Sequence, residues 1–140
     1  RLEKPVVVLG SAADGELAAQ VAGAAAGRAH SAAGALSLRE SAALIERASL
    51  LVTNDSAPLH LATGVGTPVV AVFGPTTPSQ GFGPLGGAGR VVQASGLWCR
   101  PCSPHGPATC PLGHHACMQS ITVDQVLRAA TALPTTAAAH

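Results

Sequence analysis

Asp55, Ser56 and His60 stand close together around Pro58, and a threonine pair, Thr76 and Thr77, follows the next apolar run. These residue types suit an anion site. A neutral imidazole near a helix start donates a hydrogen bond to an anion without opposing the helix dipole. Asp55 cannot itself hold a phosphate, since two anions repel, but its carboxylate can accept backbone N–H groups of the turn or a sugar hydroxyl. A plain cap formed by the Asp-Ser pair, with His60 as a partly buried core residue, accounts for the same residues at this point. Ser56 does not fit a hydrolase nucleophile, because the nucleophile elbow needs Gly-x-Ser-x-Gly and the chain reads Asn54-Asp55-Ser56-Ala57-Pro58. A second group is Cys99-x2-Cys102-x7-Cys110-x6-Cys117, which contains every cysteine of the chain.

The elements that must position these residues are legible around them. Leu50 to Val52 and Val69 to Phe73 read as buried strands ending in polar turns, with a short helix between. Proline is favoured at the first helical position, which makes Ala57 the expected cap. The N–H groups of Ser56, Ala57 and Leu59 are then expected to lack internal partners and to suit a phosphate. Upstream, Pro5 to Leu9 reads as a strand buried on both faces, and Asp14 to Gly27 as a helix with Leu17 and Val21 on one face. Ser37-Leu38-Arg39-Glu40 has the form of a capping box and opens a helix to Ala48, with Leu38, Leu44, Ile45 and Ala48 toward the core. Thr76 to Gly87 is a long Gly/Pro-rich loop at the carboxyl end of a strand, where open α/β sheets bind ligands. Arg90 to Gln93 reads as another strand and Thr122 to Leu133 as a closing helix.

Asn54-Asp55-Ser56-Ala57-Pro58-Leu59-His60-Leu61-Ala62, followed by Gly66-Thr67-Pro68 and Val69 through Thr76, resembles the signature of the heptosyltransferases, glycosyltransferase family 9. The likeness runs from about Val6 to about Arg128, and departs from the family where glycine is replaced by Ala57. The resemblance implies a Rossmann-like parallel sheet flanked by helices, the C-terminal half of a GT-B fold. It implies a nucleotide-sugar-binding domain at residues 1–133, including a Cys-rich loop at 98–118, a frayed tail at 134–140, and an N-terminal acceptor domain outside the chain. The implied activity is an inverting transfer of heptose from ADP-heptose to lipopolysaccharide core. The catalytic base is expected in the missing domain, so that this fragment alone is inactive. Donor contacts implied are Asp55, Ser56, Ala57, His60, Thr76 and Thr77, with Ser11, Asp14 and Glu40 near the nucleoside. On the residues alone a plain cap is the preferred reading of Asp14, and the capping box is the preferred reading of Glu40. No cofactor is implied for catalysis.

Composition narrows the alternatives. Net charge is +1, with Lys4 and seven arginines spread along the chain, and Phe73, Phe82 and Trp98 are the only Phe, Tyr or Trp rings. Neither a basic face nor a stacking platform for nucleic acid is present. No apolar run approaches the roughly 18 residues of a membrane span. The reading is therefore a cytoplasmic protein, with peripheral association at the inner face of the inner membrane as the resemblance implies. In a reducing compartment four clustered thiols favour a structural metal, zinc by default or iron, over disulfides. A contrasting reading makes the chain a small metal-knuckle interaction module whose α/β part is only scaffold.

Overall fold

The structure, a computed structural model, describes residues 4–134. The chain gathers into two compact units, Arg1–Ala43 and Leu44–His140, each built on parallel strands flanked by helices. Apart from Pro134, the expected frayed tail lies outside the described residues.

In the first unit β1 (Val6–Val8) pairs in parallel with β2 (Ala29–Ser31), Val6 opposite Ala29 and Val8 opposite Ser31. Helix α1 (Gly15–Gly23) connects them and packs on both. Two strands and one helix are too few to cover both faces of a sheet. Accordingly Val6 and Val7 are exposed, where the sequence predicts a strand buried on both faces. The apolar face expected of α1 is also corrected: Leu17 is 63 % exposed and Val21 is exposed, while Ala18 is buried. The helix stops at Gly23 rather than Gly27, because Ala26 and Gly27 turn to positive φ.

Helix α2 (Leu38–Arg47) begins with the predicted capping box. Glu40 Oε2 accepts the Ser37 N–H at 2.8 Å and Oγ at 2.6 Å, and Ser37 Oγ accepts the Glu40 N–H at 3.3 Å. Of the four residues expected to face the core only Ile45 is fully buried; Leu38 is exposed, because it occupies the first turn rather than the packed end.

The second unit holds β3 (Leu51–Asn54), α3 (Ala57–Val65), β4 (Val69–Phe73), β5 (Gly89–Gln93), α4 (Ala116–Gln119) and α5 (Val123–Thr131). Its strands are parallel in the order β3-β4-β5, with Asn54 opposite Val72 and Phe73 opposite Gln93. β4 lies between two neighbours, which explains why Val69, Val70, Ala71 and Phe73 are all buried. Burying a side chain the size of Phe73 contributes about 1.5–3 kcal/mol. Val70 and Val92 meet Ala130 and Leu133, with Val126 and Ala129 of α5 packed around them. α3 packs on β3 and β4 and ends at Gly66, whose φ of 79° suits a glycine and whose N–H donates to Ala62 O. Beyond it the buried Thr67 donates its hydroxyl to Ile45 O at 2.7 Å, tying the end of α2 to the start of β4. Because all three strands run the same way, their carboxyl ends open on one edge.

Candidate functional site

At that edge the turn after β3 leads directly into α3. Ser56 is the cap, with Ala57 and Pro58 as the first two helical residues, one position earlier than the sequence predicts. Proline is tolerated at either place, since neither N–H has an intrahelical partner. Ala57 is not among the residues with positive φ, so the turn accepts alanine without strain. The expected set of free N–H groups is smaller than predicted: Ser56 N–H donates to Asn54 O at 2.9 Å and Leu59 N–H to Ser56 O at 3.0 Å. Among the described residues the Ala57 N–H has no acceptor. His60 sits in the same first turn and is exposed, which removes the core-residue reading. Ser56 Oγ donates to Asn54 Oδ1 at 2.6 Å and so turns onto its own loop.

The next strand end supplies the partner of this turn. Thr76, buried beyond the end of β4, donates its hydroxyl to Asp55 Oδ2, joining the loops after β3 and β4. Burial pushes the Asp55 carboxyl above its ordinary value, opposed by its own backbone N–H and by the Arg100 guanidinium. The Thr76 hydroxyl is therefore committed within the protein, and the residue holds the loop through Asp55. Thr77 caps a short 3-10 turn, with its N–H on Gln80 Oε1 at 2.8 Å and its hydroxyl 2.8 Å from Ser79 Oγ.

Ser11, Asp14 and Glu40 belong to the first unit. Asp14 Oδ2 accepts both the Ser11 N–H and the Ser11 hydroxyl, at 2.8 and 2.6 Å. These serine bonds hold the Asp14 and Glu40 carboxyls below their ordinary values. Both acids thus serve the turn or helix start beside them.

In the Cys-rich segment all four cysteines are free thiols. Cys99, Cys102 and Cys110 line an open hollow of about 290 Å³ with Trp98, Pro101, Pro111 and Leu112, while Cys117 is buried in α4. Burial, then the charge of the neighbouring thiols, raises Cys102. Cys110 is lowered by backbone N–H groups, that of His115 first. Among the described residues no three His, Cys, Asp or Glu side chains, as they stand, are grouped to hold a metal ion.

A family model described as "Glycosyltransferase family 9 (heptosyltransferase)" matches residues 3–113. The chain belongs to glycosyltransferase family 9. Among its relatives, lipooligosaccharide heptosyltransferase 2 of Campylobacter jejuni (strain 81116) is 37 % identical over 78 residues, covering 56 % of this chain and 23 % of the relative. The Haemophilus influenzae protein of the same name is 38 % identical over 61 residues, covering 44 % of this chain and 17 % of the relative. The structure is similar to the crystal structure of the family 9 glycosyl transferase of Veillonella parvula, with TM-score 0.72 and 28 % identity, over 91 % of this chain and 35 % of that one. It is also similar to E. coli ADP-heptose lps heptosyltransferase II, with TM-score 0.61 and 26 % identity, over 89 % of this chain and 37 % of that one. The chain thus spans about a quarter of the Campylobacter relative and about a third of each solved structure. Among the described residues no helix is long and apolar enough to cross a membrane.

One residue at this strand edge carries no signal in the sequence. Arg100 lies inside the Cys-x2-Cys pair, yet its side chain reaches back to the ends of β4 and β5. A lone arginine among prolines does not announce a partner that far away in sequence.

Proposed function

We propose that this chain is the donor-binding part of an inverting glycosyltransferase that moves heptose from ADP-heptose to a lipopolysaccharide core acceptor. The observation that carries the reading is the joined strand edge, where Asp55 and Thr76 are linked beside the start of α3 and the exposed His60. The diphosphate lies against the Ala57 N–H, the helix start and His60, where preorganised donors act on charge as it develops. Asp55 keeps Oδ1 for a hydroxyl of the donor. The acceptor oxygen attacks the anomeric carbon, the bond from that carbon to the diphosphate oxygen breaks, and its electron pair stays on the diphosphate. The acceptor proton passes to a base outside this chain. Thr77, in the loop after β4, completes the proposed donor side of this unit. The acceptor, a lipid-linked core, puts the work at the inner face of the inner membrane through peripheral association. The name of the E. coli structural relative supports ADP-heptose as donor. ADP-, UDP- and GDP-sugars should be offered to the intact protein with a core acceptor. Turnover with ADP-heptose and inversion at the anomeric carbon are expected, and turnover with no ADP-sugar contradicts the reading.

The four cysteines form the second part of the proposal, a structural site for a soft ion of the zinc or iron class. What supports it is that Cys99, Cys102 and Cys110 line one hollow in a segment with four prolines between residues 101 and 111 and no sheet ladder. Such an ion would staple the loop and would take no part in transfer.

A further inference from the structure

We propose that Arg100 is a positioning residue for donor binding, and that the Cys-rich segment serves to deliver it to the strand ends. The proposal rests on the donor site argued above. Arg100 Nε donates to Gly74 O at 2.6 Å, and Nη2 donates to Thr76 O at 2.7 Å, to Gln93 Oε1 at 3.2 Å and more weakly to Phe73 O at 3.4 Å. Nη1 donates to Ala94 O at 2.5 Å. Every one of these acceptors is neutral.

Carbonyls at the carboxyl ends of parallel strands run out of ladder partners, and each presents partial negative charge to the edge that must receive a diphosphate. A planar guanidinium answers several of them at once and leaves a positive charge there; a lysine ammonium, a single point, cannot. Thr76 is consequently held at two atoms, its carbonyl by Arg100 and its hydroxyl by Asp55.

The rest of the segment is laid over the same loop. Cys102 N–H donates to Pro75 O at 3.0 Å, and Gln80 Nε2 donates to Ser103 O at 3.0 Å and Pro104 O at 3.2 Å. A Cβ on Gly106 would stand 3.0 Å from Pro75 Cγ, and one on Gly74 would stand 2.7 Å from Met118 Sδ. Contact this close leaves the β4 loop little freedom while the segment stays in place.

The test uses the intact protein with Arg100→Lys. Donor KM is expected to rise about tenfold, as for one lost hydrogen bond involving a charged group, with acceptor KM unchanged. Hydrogen exchange of residues 73–77 should quicken. A merely structural arginine would lower the melting temperature and leave the donor-to-acceptor KM ratio where it was, and that result overturns the proposal. If Arg100→Lys does not fold, Gln93→Leu removes one partner of the guanidinium from an exposed site and should still raise donor KM about threefold, a fraction of one such bond. An unchanged donor KM there also overturns it. Failure of the parent to bind ADP at all would remove the donor site itself, and the proposal with it. Tight ADP binding by parent and variants alike would remove only the role of Arg100.

Discussion

Thr76→Val isolates the link between the two loops. The substitution removes one hydroxyl and almost no volume. Thr76 is only 3 % exposed, so water does not replace the lost donor on that side. Asp55 loses its hydroxyl donor and keeps its own backbone N–H and the distant Arg100 charge. A hydrogen bond to a charged group contributes about 1.5–3 kcal/mol, and the partial exposure of Asp55 places the expected loss near the lower end. Thr76→Ser keeps the hydroxyl and removes one buried methyl, about 0.8 kcal/mol. The sign with pH follows from the carboxyl. Its pKa in the folded state already lies above the ordinary 3.8 through burial, and a hydroxyl that donates to a carboxylate favours the ionised form. Removing the hydroxyl raises it further, so the valine penalty is full above the variant's raised pKa and shrinks as pH falls from that value through the parent's. Urea midpoints by circular dichroism at about pH 7 and about pH 3 read this directly. A valine variant no weaker than the serine variant, or a penalty equal at both pH values, would refute the reasoning.

The remaining predictions are shorter. Protein purified without chelator should carry close to one zinc or iron per chain, and cobalt substitution should give a sulfur-to-metal charge-transfer band. Protein free of metal under those conditions contradicts the staple. The Ser11–Asp14 and Ser37–Glu40 pairs depress both acids below 3.8 and 4.5, so the stability they give is present above those values and lost as pH falls through the lowered ones. Ser37→Ala should flatten that acid limb of the melting-temperature profile; an identical limb would show that the box adds nothing.

β4 was legible because its apolar run is continuous, β-branched and bounded by Pro and Gly, while β3, β5, α3 and α5 were legible as shorter apolar stretches bounded by Gly, Pro or capping residues. Val69 to Phe73 could hardly be anything but a central strand. β2, by contrast, is Ala29-His30-Ser31, which has no strand preference of its own and exists through its pairing with β1. The exposure of Val6, Val7 and Leu17 was not legible either, since periodicity gives the apolar face of an element and says nothing of what covers it. Of the site, Asp55, Thr76 and His60 were visible as types at strand and helix ends. The bond between Asp55 and Thr76, and the five acceptors of Arg100, depend on tertiary approach and leave no local pattern. The cap at Ser56 fell one residue from its expected place because proline suits both of the first two helical positions.

The central claim is that the edge at α3 receives the diphosphate of an ADP-sugar. Calorimetric titration of ADP into the intact protein and its His60→Ala variant tests it most directly. His60 is exposed and outside the core, so the variant should keep the stability of the parent. Loss of one donor to a charged acceptor, about 1.5–3 kcal/mol, predicts a Kd weakened about ten- to a hundredfold. Equal Kd values for the two proteins would contradict the claim.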